Sequence, residues 1–173
     1  MTGPEQKRVR TLQANDYATA QDFCTAFSEG MNELYQLAFL LIADHQMAEH
    51  CFVAGLQESV TSDRVFKEWA RSWAKRTIIQ NAIRQLMPRP PMVSLGAFTA
   101  PHSIGELPGQ NPHVTLDWIL ALEDFDRFVF VMSALEHYSD QDCALLLDCS
   151  PRQVEEARVR ALTQFTGTTA PVH

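Results

Sequence analysis

A chain of 173 residues, 46% apolar and 20% charged, is long enough to bury one sizeable core or two small ones joined by a connection. Fourteen Lys and Arg against 21 Asp and Glu leave −7, which excludes a uniformly basic nucleic-acid binder, and seven Gly with nine Pro exclude collagen-like and low-complexity chains. The longest apolar stretch, Leu37 to Ala43, is too short to span a bilayer, no apolar run follows Lys7, Arg8 and Arg10, and Cys24, Cys51, Cys143 and Cys149 form no CxxC, so a cytoplasmic protein with reduced, mostly buried thiols is expected.

Residues 1–22 read as an N-terminal arm, and 23–86 as a helical bundle. Met31, Leu34, Tyr35, Leu37, Ala38, Leu41 and Ile42 recur at the three-and-four spacing of one helix face. Met47 to Val60 places Ala48, Cys51, Phe52 and Leu56 on one side of a second helix. Ser62 or Asp63 is expected to cap a third, running through Leu86 with Phe66, Trp69, Trp73, Thr77 and Ile78 inward. Six prolines between Pro88 and Pro112 cannot continue a helix, so 87–115 reads as a linker.

Beyond it, Phe125, Phe128, Val129 and Met132 pattern a helix ending near His137. Ser139 with Asp142 forms a capping box before Cys143, Ala144 and Leu147. Ser150, Pro151 and Gln153 then supply an N-cap, a proline at the first helical position and a capping glutamine. The last helix is expected to reach about Phe165 with Val154, Ala157, Ala161 and Leu162 inward. Two helices separated by the turn Asp148–Ser150 make a helix–turn–helix within 116–166, followed by a tail at 167–173. The fold class expected is all-α, as two helical lobes joined by the Pro-rich linker.

Charge divides unevenly between these parts. Residues 1–85 carry nine basic and ten acidic side chains, whereas 116–173 carry four and ten. From Arg64 to Arg84 six basic residues accompany one acid, Glu68, a density able to neutralise several phosphates. No Gly-rich phosphate loop, nucleophile elbow or H-E-x-x-H occurs, and the spacing of His45, His50 and Cys51 matches no common zinc pattern. Neither enzymatic chemistry nor a metal or cofactor is expected.

The chain resembles an extracytoplasmic-function RNA polymerase sigma factor of the sigma-70 family. Leu34-Tyr35-Gln36-Leu37-Ala38 and Ala48-Glu49 resemble that family's first conserved helices, and Phe66-x-x-Trp69 with Ala74-Lys75 its F-x-x-W-L-x-x-I-A-R stretch. Arg127-x-Val129-Phe130 and Ser139-x-x-Asp142-Cys143-Ala144-x-x-Leu147-x-Cys149-Ser150 resemble its R-x-V-F and S-x-x-E-I-A-x-x-L-G-x-S patterns. The resemblance implies a transcription initiation factor whose partners are RNA polymerase core, promoter DNA and an anti-sigma factor. It places polymerase contacts at Leu34, Tyr35, Glu49, His50 and Val53. Contacts to the −10 element fall at Arg71, Lys75, Arg76 and Arg84, and −35 reading at Arg152, Gln153, Arg158 and Arg160.

The departures from the family pattern open a second reading. His50, Val53 and Ala54 stand where the family's clamp-contact signature has an acid, a glutamine and an acid. Glu155 and Glu156 sit in the recognition helix, and Asp148 takes the place of the turn's glycine. On that reading a sigma-like scaffold has lost polymerase and promoter binding and serves protein–protein interaction, as an anti-sigma decoy or adaptor.

Overall fold

The computed structural model describes residues 16–90 and 113–169. Their architecture is all-α; the only strand-like pairing among them is a lone antiparallel bridge between Tyr17 and Phe66. Most of the expected linker, 91–112, lies outside the described residues, as do 1–15 and 170–173.

The first helix, α1 (Ala20–Glu29), starts inside the expected arm. Thr19 and Asp22 form a reciprocal capping box, with the Asp22 N–H donating to Thr19 Oγ1 and the Thr19 N–H to Asp22 Oδ2. The backbone hydrogen bond from Thr19, with Lys67 beside it, pulls the Asp22 carboxyl from 3.8 down to about 2. α2 (Met31–Ile42) follows after Gly30 and ends where Ala43 turns left-handed at φ 60°. Asp44 then caps α3 (His45–Val60) by accepting from the Met47 N–H at 2.8 Å.

The helix expected to run through Leu86, fourth in the bundle once α1 is counted, starts later than expected. Ser62 donates to the carbonyl of Glu58 at the end of α3 and accepts from Trp73 Nε1, so it closes one helix without opening the next. Arg64 takes φ 63°, and a 3-10 turn (Lys67–Trp69) precedes α4 (Ala70–Leu86). Trp69 therefore lies off the α4 face, 57% exposed with its ring edge-on to Phe66, while Trp73 is half-buried. α3 and α4 approach closely at Gly55, where a Cβ would fall 2.7 Å from Ile78 Cδ1. Ser59 Oγ and Thr77 Oγ1, both buried, satisfy one another at 3.0 Å across that contact.

After the undescribed segment come α5 (His113–Ala121) and α6 (Asp124–Phe130), the latter running into a π-helical turn (Val131–Leu135). α7 (Asp140–Leu147) and α8 (Pro151–Thr169) complete the chain. Both expected caps form. Ser139 Oγ accepts from the Asp142 N–H, Ser150 Oγ from the Gln153 N–H, and the turn between the helices is Asp148–Ser150. Asp148 adopts the left-handed conformation at φ 51°. Val154, Ala157 and Ala161 are fully buried as the pattern predicts, but Leu162 is 46% exposed on the outer face.

One hydrophobic cluster runs through both halves, 16–90 and 113–169. It joins Leu37, Leu41 and Ile78 to Phe125, Phe128, Met132, Cys143 and Val154. α2 carries the packing against α6 and the π turn. A smaller cluster of Phe23, Ala26, Val65 and Ala70 lies beneath α1. Arg127 is buried at the seam between the halves. Its Nε donates to the Leu41 carbonyl at the end of α2, its Nη1 to the Leu122 carbonyl, and its Nη2 to Asp124. A cation at the C-terminal end of α2 meets a backbone carbonyl that the helix itself leaves unpaired.

Candidate nucleic-acid interface

The basic residues of α4 do not share one face, because positions 71 and 75 are one helical turn apart whereas 76 and 84 point elsewhere. Arg71 and Lys75 line a crevice of about 560 Å³ bounded by Glu33, Glu136, Tyr138 and Asp142. Arg76 and Arg84 line a separate groove with Ile83, Leu145 and Leu146. The expected phosphate stripe is thus divided in two by the second half of the chain.

Most of these cations have carboxylate partners. Arg71 pairs with Glu29 at 2.6 Å and Arg84 with Glu58 at 2.9 Å, each from an exposed position. Exposed pairs of this kind are worth about 0–1 kcal/mol, so a phosphate competes for them readily. Lys75 is held differently, with its Nζ 2.6 Å from Glu33 and 2.9 Å from Glu136. Burial acts against its charge, yet the hydrogen bonds it donates to the two carboxylates carry its pKa upward, and the Lys75 ammonium in turn holds Glu33 below the usual carboxylate range. Arg76 has no carboxylate within 4 Å among the described residues.

On α8 the four expected contacts also separate. Arg152 is exposed and pairs with Glu156 one turn on. Gln153 uses its side-chain carbonyl to accept from the Ser150 N–H and hydroxyl, which makes it a cap. Arg158 turns back to Asp140 of α7, whose hydrogen bond raises the arginine's pKa. Arg160 reaches Asp126 of α6 with two hydrogen bonds, of 3.0 and 2.6 Å. Asp126 is 5% exposed, so withdrawing Arg160 would strand a buried carboxylate, a change that typically costs about 3–5 kcal/mol. The outward face of α8 is left with Glu155, Glu156, Val159 and Leu162, all exposed.

Among the expected polymerase contacts, Glu49, His50 and Val53 are exposed together on α3. Leu34 is a core residue at 3% exposure, and Tyr35 is half-buried with its hydroxyl 3.0 Å from His45 Nδ1. The described residues contain no grouping of three His, Cys, Asp or Glu side chains able to hold a metal ion, and no helix among them is long and apolar enough to cross a membrane. Burial pushes the Cys51 thiol up to about 12 and, with Asp140 and Asp142 nearby, that of Cys143 to about 11.

Sequence reasoning missed Glu33, Asp126 and Glu136 as partners of the basic residues. Lys75 and Glu136 lie 61 positions apart, and no local pattern signals such a pair. Fold and charge placement together define an all-α protein whose two halves meet along a salt-bridged crevice. No protein-family model matches the chain, and no curated protein matches its sequence.

Proposed function

We propose that the protein is a sigma-type transcription initiation factor. Its first half would bind polymerase core and the −10 region, and its second half would read the −35 region. The observation that carries this reading is the order of parts: a helical bundle ending in a cation-bearing α4, then a connection, then α7 and α8 joined by a three-residue turn with both caps formed. Two capped helices joined by a turn of that length are what a helix–turn–helix requires. Of the expected DNA contacts, Arg71, Arg76, Arg84 and Arg152 are the exposed cations, and binding through them would be steeply salt-dependent.

A second reading, a protein-interaction module on the same scaffold, is favoured by one specific observation. The outward face of α8 presents Val159 and Leu162 beside Glu155 and Glu156, which suits a protein surface better than a phosphate backbone. Purified bacterial core polymerase separates the two readings, with wild-type protein and a His50→Asp, Val53→Gln, Ala54→Glu variant as baits. Retention of core by the wild type at physiological salt supports the initiation factor. Retention by the triple variant alone supports a scaffold that has left initiation, and retention by neither refutes polymerase binding at this face.

A further inference from the structure

We propose that the protein associates with a second copy of itself, the outward face of α8 in one copy lying in the groove between α4 and α7 of the other. The contact goes beyond both functional readings and needs neither polymerase nor DNA. Glu155, Val159 and Leu162 are exposed on α8 at the i, i+4 and i+7 spacing by which an amphipathic helix presents its anchors to a groove. The stripe begins acidic, with Glu156 beside Glu155, and continues apolar over about 10 Å at the helical rise.

The groove has the complementary order. It encloses about 410 Å³ and is lined by Arg76, Gln80, Ile83, Arg84, Leu145 and Leu146. Arg76, Gln80 and Ile83 repeat the same i, i+4 and i+7 spacing along α4, so a cation again precedes an apolar side chain by about 10 Å. With the two helices parallel, Glu155 meets Arg76 while Leu162 reaches Ile83 and Leu145. Neither Arg76 nor Glu155 has an opposite charge within 4 Å among the described residues. Arg84 and Glu156, by contrast, are already paired with Glu58 and Arg152. Leu145 is 75% exposed and offers nothing to a phosphate, whereas covering it together with Val159 and Leu162 removes apolar surface from water. A patch of this size suits weak association, in the micromolar range. Because the two surfaces differ, the contact closes into a pair where both form reciprocally and extends into larger assemblies where they do not.

Sedimentation velocity on the nuclease-treated full chain, across the micromolar range, tests the contact. The wild type is expected to sediment faster as its concentration rises. Arg76→Glu and Glu155→Arg, both at exposed positions, should each weaken association about tenfold or more, since each sets like charges against one another. The first makes the net charge of −7 more negative and the second makes it less so, which separates a specific pair from general repulsion. Mixed in equal amounts, the two variants should associate with each other, because opposite charges then meet again. Leu145→Ser should weaken wild-type association with no change of charge. A wild type that stays monomeric throughout the range overturns the proposal and leaves the groove to a different occupant. Association seen only before nuclease treatment is bridging by nucleic acid and overturns it equally. So do charge variants that associate as strongly as the wild type, or a mixture that stays monomeric. None of these outcomes touches polymerase or DNA binding, which stand or fall on their own experiment.

Discussion

Replacing Arg127 by methionine asks how much the buried guanidinium contributes to holding the halves together. Methionine keeps much of the side-chain length and apolar bulk, so the change isolates the three hydrogen bonds. Two of them end on the backbone carbonyls of Leu41 and Leu122, which have no route to solvent while the seam stays shut. Each buried acceptor left unpaired costs about 1–3 kcal/mol. The third partner, Asp124, has a side chain 53% exposed and recovers water at little cost. Relief from burying the guanidinium itself offsets part of the loss. The net expectation is a destabilisation of about 3 kcal/mol, which lowers the folding equilibrium constant roughly a hundredfold. Urea unfolding followed by far-UV circular dichroism and by tryptophan fluorescence measures it, since Trp73 and Trp118 sit in different halves. Arg127→Lys should fall between the two, because an ammonium reaches fewer of the three acceptors. A loss below about 1 kcal/mol with an unchanged m-value would show that the carbonyls find other partners and would refute the reasoning.

Asp22 has a folded-state pKa of about 2 against an ordinary 3.8, so its contribution to stability is complete above the higher value and disappears as pH falls through the lower one. Urea midpoints measured from pH 5 to pH 2 should therefore drop more steeply for wild type than for Asp22→Asn; parallel curves would exclude the cap as the cause. Asp148 is exposed and left-handed, and Asp148→Gly should raise stability by about 0.5–1 kcal/mol, read as an increase in Tm. At pH 8 a thiol reagent should modify exposed Cys24 at once and Cys51 and Cys143 only on unfolding, given burial and pKa values near 12 and 11. Mass mapping of the labelled peptides checks this, and early labelling of Cys51 would contradict the packing of α3 on α4.

The capped pair α7 and α8 was legible in the chain because its helix boundaries are set by local chemistry, whereas α5 begins inside the expected linker at His113 and has no such signal. Ser139, Ser150, Pro151 and Gln153 act within four residues of themselves, and Asp148 declares its left-handed turn by standing between two capped helices. The same chemistry at Thr19 and Asp22 opens α1 inside what had read as an arm, since two apolar residues on one turn do not stand out until Phe23 and Phe27 find the core. Ser62 misled because a hydroxyl after a helix can close that helix as easily as cap another. Trp69 and Trp73 have the spacing of one face, but that spacing has meaning only if both residues are in the helix, and α4 begins between them. The basic residues were visible as a group; their division into two grooves depends on where α7 and the residues 136–138 before it settle against α4.

That π turn sets the phase of everything after it. Its wider ring, closed by the Glu136 N–H on the Val131 carbonyl, accommodates one residue more than an α-helical turn. Were the same residues to continue as ordinary α-helix through Val131–Leu135, the following side chains would rotate by roughly 100° about the axis. Glu136 would then face away from Lys75 while every apolar residue upstream kept its place. A helix irregularity, rather than any residue of the crevice, thus works as the angular setting that aims an acid of one half at a base of the other.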